Sequence, residues 1–260
     1  MEDKTCPVKE TFKSSSKKHT GIKDIRYILA IGSGKGGVGK TTLSVLLALA
    51  LKDAGYLTGI FDLDFYGPNI SLLLGVKKVP IIEFGKIKPV VCDKIKVLSL
   101  GLLVSEKEPI FMRGLMASKL LQELIEKVEW GPLDFLILDL PPGTGDIFLS
   151  VCDLFELEGF ILVTTPHKLA LADARRTLTI LRENKIPIFG VVKNMSDFFE
   201  NTPYFDKFLE EEHLSLLFEI PFIKELSVIE NFQELFKIPE KKKLLENLAE
   251  KILDKVFRIY

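Results

Sequence analysis

The residues able to do chemistry gather first in one short stretch. Gly34-Lys35-Gly36-Gly37-Val38-Gly39-Lys40-Thr41 fits G-x-x-x-x-G-K-[ST] at every fixed position. Glycines in such a loop let backbone N–H groups turn inward around phosphate oxygens, and the following helix adds the positive end of its dipole. Lys40 is placed to reach β- and γ-phosphates, and the Thr41 hydroxyl to ligate Mg²⁺. A second lysine, Lys35, directly follows the first glycine. Carboxylates then recur where apolar runs end: Asp62-Leu63-Asp64, and Asp139 and Asp146 at the two ends of DLPPGTGD. Acids at strand ends beside a triphosphate are where Mg²⁺ coordination and water positioning are needed. The chemistry implied is nucleoside triphosphate binding with Mg²⁺, followed by hydrolysis.

Such residues need a scaffold that presents them together. Residues 27–31 (YILAI) read as a buried strand running into the glycines, and 41–54 as a long apolar helix stopped by Gly55. Further strands are expected at 57–63, at 97–100 after a hairpin over 81–91, and at 135–138, 160–163, 188–192 and 214–220. Helices are expected at 113–128, where Met116, Leu120, Leu121, Leu124 and Val128 share a face, and at 169–183 and 240–257. Strands alternating with helices mean an α/β fold of the P-loop NTPase kind, a mostly parallel sheet with helices on both faces. Ligands in such sheets bind beyond the carboxyl ends of the strands. Residues 1–24, rich in Lys, Ser and Thr, read as a flexible tail, and 25–260 as a single domain without internal linker or repeat.

Composition narrows the class further. The chain has 260 residues, 47% apolar and 27% charged, which excludes a largely disordered protein. Thirty-five Lys and Arg against 36 Asp and Glu give 35 − 36 = −1, against a general nucleic-acid binder. The three cysteines, Cys6, Cys92 and Cys152, are nowhere closer than 60 residues, which excludes a disulfide framework and fits a reducing cytoplasm. Cys92 and Cys152 read as small buried hydrophobes, and His167 as a loop residue. The longest apolar stretch, 43–51, is interrupted by Ser44 and falls far short of the roughly 20 residues of a membrane span. The closing helix mixes Glu246, Glu250 and Asp254 with its lysines and reads as core-packing. A cytoplasmic protein with neither nucleic-acid nor membrane partner is expected.

At these residues the chain resembles the deviant Walker A ATPases, whose loop is KGGVGK[ST]. Within them it resembles the Mrp/ApbC family of iron–sulfur cluster carriers. The stretches that carry this are GSGKGGVGKTT (32–42), DLDFYGPNISLLLG (62–75), FMRGLMASKLLQ (111–122), WGPLDFLILDLPPGTGD (130–146), ILVTTPHKLALADARR (161–176) and GVVKNMS (190–196). MinD and ParA share the loop but not the YGPNI and DLPPGTGD phrases. The resemblance implies a homodimer that sandwiches ATP. Gly34, Gly36, Gly37, Val38, Gly39, Lys40, Thr41 and Thr42 would surround the nucleotide, with Lys35 reaching the partner's phosphates. Asp62 would join the Mg²⁺ shell, Asp139 would bind Mg²⁺ through water, and Asp64 would orient or activate the attacking water. Gly143 would lie near the γ-phosphate, Asn194 would contact adenine, and the Pro221 loop would close over the base.

In the family, the NMS phrase leads to F-x-C-P-x-C, whose cysteines hold a [4Fe–4S] cluster shared across the dimer. Here Pro203 survives, but Thr202 and Phe205 stand at the cysteine positions, and neither supplies the thiolate a cluster wants. No cluster ligand is therefore assigned. A ring at 205 is expected to bury apolar area at the dimer seam. The leading reading is a slowly hydrolysing ATPase dimer in iron–sulfur cluster assembly, acting on a client or with a CxxC-bearing relative. Against it stand a cluster-free, nucleotide-switched docking ATPase of the same fold and a positioning ATPase of the ParA/MinD kind.

Overall fold

The computed structural model describes residues 22–64, 67–99, 102–103, 114–198 and 203–258. Cys6 and Thr202 fall outside them. In chain order the elements are β1 (Ile25–Gly32), α1 (Lys40–Asp53), β2 (Thr58–Asp62), α2 (Ile70–Leu73), β3 (Ile81–Glu83), β4 (Lys86–Lys88), β5 (Val90–Cys92), β6 (Ile95–Ser99) and α3 (Gly114–Lys127). There follow β7 (Leu133–Asp139), α4 (Asp146–Leu154), β8 (Gly159–Thr164), α5 (Lys168–Glu183), β9 (Ile188–Asn194), α6 (Pro203–Glu211), β10 (Leu216–Ile220) and α7 (Pro239–Phe257).

The main sheet runs β10-β9-β8-β1-β7-β2-β6-β5. Every pairing in it is parallel except the edge pair β5–β6. Its strands are apolar on both sides because both faces are covered. Along β1, Ile28 and Ala30 enter one apolar layer, with Phe148 of α4 and Leu171 and Leu178 of α5. Leu29 and Ile31 enter the other, with Leu43 and Leu47 of α1 and Leu248 and Ile252 of α7. The closing helix is thus a core element, and among the described residues no helix is long and apolar enough to cross a bilayer. Ile22, inside the stretch read as a tail, is buried.

Register matters more than element length for the site. Asp62 at the end of β2 lies abreast of Asp139 on β7 and of Ser99 on β6. Three polar residues therefore stand in a row at one level of an otherwise apolar sheet.

Two expectations need correction. The hairpin closes at Lys88, not at residue 91, and β5 turns instead onto β6. Pro89 lies between them and lacks the N–H that a continued ladder needs. Cys92 and Cys152 are only half-buried. Burial and the Asp153 charge push the Cys152 thiol up to about 11, so it remains protonated.

Candidate functional site

The phosphate loop lies between β1 and α1, at the carboxyl edge of the sheet. Gly39 is the N-cap of α1 at φ 88°, a left-handed conformation suited to glycine. A Cβ there would also meet Asn194 Nδ2 at 2.1 Å. Asn194, the last residue of β9, donates from that nitrogen to the carbonyl of Val38 at 2.8 Å. The residue that the family resemblance ties to the base thus braces the phosphate loop. At the loop's start, a Cβ on Gly34 would meet the Asp173 carbonyl at 2.3 Å. Gly143 N donates to the Ser33 carbonyl at 2.9 Å, which ties the 140–146 loop to the same place.

Beneath the loop the charged side chains converge. Lys40 is buried, and its Nζ lies 2.9 Å from Asp139 Oδ1. Thr41 Oγ1 donates to Asp139 Oδ2 at 2.8 Å, and Ser44 Oγ to Asp139 Oδ1 at 2.7 Å. Asp62 accepts from Ser99 Oγ at 2.9 Å and from the amides of Asp64 and Ile70 at 3.2 and 3.3 Å. Asp64 is half-buried above this row and accepts from Gly67 N at 3.2 Å. Lys35, Gly36 and Gly37 are exposed on the outer side of the loop, and Thr42 is half-buried on the first turn of α1. Pro221 is half-buried just past β10, and beside it Phe222 N donates to Asp197 Oδ1 at 2.5 Å.

Burial, then the neighbouring Asp139 charge, pushes the Asp62 carboxyl up to about 7, against the opposing hydrogen bonds from Ser99, Asp64 and Ile70. Burial raises the Asp139 carboxyl too, against the Lys40 ammonium and the hydroxyls of Ser44 and Thr41. Two carboxyls buried abreast, with the Lys40 ammonium on Asp139, make the environment that a divalent cation fits. Thr41 Oγ1, Asp62 and Asp139 would hold Mg²⁺, directly or through water.

Two serines of the site, Ser44 and Ser99, escape a reading of the sequence. Ser44 has a signal: it is the one polar residue of the apolar run 43–51, four residues after Lys40 and so on the same helix face. Ser99 has none, because its partner comes from sheet register. His167 is the N-cap of α5, its Nδ1 accepting from Leu169 N at 3.3 Å.

The expectation for Phe205 is overturned. Its ring is only 1% exposed within its own chain, lies 6.3 Å from the ring of Phe208 and has Lys193 Nζ 5.0 Å from its centroid. Phe205 and Phe208 are three residues apart on α6, so they share the face turned to the core. In the same segment the rings of Phe198 and Phe222 reach solvent and lie 5.6 Å apart.

The family model described as ParA, the NUBPL iron-transfer P-loop NTPase, matches residues 24–257. An iron–sulfur cluster carrier protein of Rickettsia conorii is 38% identical over 213 residues, 82% of this chain and 65% of its own length. One from Aquifex aeolicus is 46% identical over 180 residues, 68% of this chain and 50% of its own. The chain thus spans about half to two thirds of these relatives. Among solved structures, a nucleotide-binding protein of Archaeoglobus fulgidus in complex with ADP is 29% identical, with a TM-score of 0.66 over 89% of this chain and 90% of that one. The cell division ATPase MinD of Pyrococcus furiosus is 26% identical, with a TM-score of 0.69 over 88% of this chain and 98% of its own. The family model spans nearly the whole chain, and the chain belongs to the NUBPL-type iron-transfer P-loop NTPases of the ParA family.

Proposed function

We propose that the chain binds ATP with Mg²⁺, hydrolyses it slowly as a homodimer, and serves iron–sulfur cluster assembly in the cytoplasm. The observation that carries this reading is the convergence of Lys40, Thr41, Asp62 and Asp139 beneath one glycine loop, all but Thr41 buried, and in contact or in register. When phosphate enters, Lys40 exchanges Asp139 for the β- and γ-oxygens, while Ser44 and Thr41 keep the carboxylate in place. Mg²⁺ would neutralise charge developing on the transferred phosphoryl group. Asp64 orients the attacking water. Lys35, on the exposed side of the loop, extends to the partner's phosphates, as an arginine finger does. Asn194 and the Pro221 turn receive the adenine.

Calorimetry and turnover test this together. Lys40→Ala removes a charge-assisted contact worth about 1.5–3 kcal/mol, so ATP affinity falls roughly tenfold or more. Lys35→Ala retains most affinity but loses hydrolysis. Unchanged ATP affinity in the first variant, or wild-type turnover in the second, counts against the site or the dimer respectively.

The cluster is cargo in this reading, and the packing of Phe205 favours a variation on it. The position aligned with a family thiolate is a core ring, so the chain acts as a nucleotide-switched partner to cluster-bearing proteins and holds no cluster there. Anaerobic incubation with iron and sulfide, followed by iron analysis and EPR, checks it: about four irons per dimer would restore the carrier reading.

A further inference from the structure

Residues 77–88 (KKVPIIEFGKIK) make a feature that the nucleotide site does not use. β3 and β4 form a two-stranded sheet of their own, apart from the main sheet. The ribbon is held from one side. Ile87 is buried and bridges to Val128, Glu129 N donates to the Ile87 carbonyl, and Lys86 Nζ donates to the Glu126 carbonyl. Apart from Ile87 and Pro80 the segment faces solvent: Val79, Ile81 and Ile82 are exposed, and Phe84 at the turn is 104% exposed.

The turn is also costly. Phe84 at φ 50° and Gly85 at φ 74° both occupy the left-handed region, as a two-residue type I′ connection requires. Asn-Gly or Asp-Gly suits that turn; a bulky aromatic in its first central position is disfavoured, and the exposed Phe84 ring gains almost no burial in return. A strained residue unsupported by its own chain points to a contact outside it.

The flanking residues define that contact. Lys77, Lys78, Lys86 and Lys88 against Glu83 give 4 − 1 = +3, in a chain of net charge −1. Glu129, which acts on Lys88, reduces this to +2. The Lys88–Glu83 pair at 2.7 Å is half-exposed on both sides and too weak to withhold the lysine. Ile81 and Ile82 are neighbours on one strand, so they point to opposite faces of the ribbon; Ile82 shares the face of its cross-strand partner Ile87, which is buried, and is exposed all the same. A flat or grooved protein surface covers one face of such a tip, whereas immersion in lipid covers both. We propose that this hairpin docks on an anionic lipid surface, with Phe84, Ile81, Ile82 and Val79 entering the boundary between headgroups and acyl chains and the lysines meeting headgroup phosphates.

The test uses the full chain with vesicles of phosphatidylcholine and phosphatidylglycerol in equal parts, and phosphatidylcholine alone for comparison. Cosedimentation should show binding to the anionic vesicles only, weakened by salt. Phe84→Asn, which fits the turn better than the native residue, should bind roughly tenfold more weakly while keeping its ATP turnover and a Tm no lower than wild type. Phe84→Trp supplies a reporter, because the single native tryptophan, Trp130, is only 1% exposed; its emission should move to the blue with anionic vesicles. No vesicle binding by the wild type, or equal binding by Phe84→Asn, overturns the proposal. So does a change in oligomeric state of Phe84→Asn without lipid, which would assign the tip to a protein contact.

Discussion

The row of acids below the phosphate loop and the helix that follows β9 solve the same packing problem in opposite ways. Below the loop, Asp62 and Asp139 are buried as carboxylates, each held by a serine hydroxyl, with Lys40 between the row and the loop. Past β9, at a position where the family resemblance expects a thiolate, α6 turns Phe205 and Phe208 into the core. The first arrangement works against the empty protein, because buried carboxyls are driven towards their neutral form. The second contributes apolar burial and offers no ligand atom. Polar burial is retained where charge is to arrive, and where no charge is to arrive the chain takes the stability.

That contrast can be broken most forcefully at Phe205. Phe205→Ala should cost about 3–5 kcal/mol, as for other buried aromatics, read as a lower urea midpoint with unchanged slope. A loss below about 1 kcal/mol would return the ring to a dimer seam and erase the contrast. Asp62 gives a smaller effect with a sign that sharpens it. Its carboxyl binds a proton more tightly in the folded chain than in the unfolded one, so its stabilising contribution is full below about pH 4 and is lost as pH rises towards 7. In metal-free and nucleotide-free protein, Asp62→Asn should therefore gain on wild type as pH climbs from about 4 to 8, by a few kcal/mol. A stability difference that stays level across that range would mean that Asp62 is not strained by burial. The smallest effect belongs to the exposed end of the aromatic segment. Phe198→Ala should cost about 0.5–1 kcal/mol, the scale of one solvent-facing ring pair, measured by the same denaturation. A loss as large as that of Phe205 would mean that the pair is buried by a second chain.

Much of the nucleotide site is legible in the sequence, because a phosphate loop is local: its glycines, lysines and threonine are consecutive, and spacing alone places them. The acids are legible as strand-end residues. Of their supports, Ser44 carries a signal as the one polar residue of its run, a helical turn after Lys40, whereas Ser99 carries none, since it reaches Asp62 across 37 residues of sequence and only sheet register brings the two together. Phe205 misleads for a related reason. One phenylalanine tells little about direction, whereas Phe205 with Phe208 on a nine-residue helix defines a face. The hairpin boundary depends on Pro89, whose missing donor ends one pairing and frees β5 for another. The tip of that hairpin is equally silent, because exposure is a property of what does not pack against it.

At Gly34 the loop backbone rests directly on the backbone of α5, with the Asp173 carbonyl 2.3 Å from where a Cβ would stand. No side chain lies between them to rotate and absorb a displacement. Further along α5, Arg175 grips Glu211 and Glu212 at 2.5 Å, and Arg182 grips Glu212 at 2.7 Å, at the end of α6. Loop, helix and clasp are therefore contiguous: a shift of the loop at Gly34 would bear first on the backbone of α5, and beyond it on the end of α6 through Arg175 and Arg182.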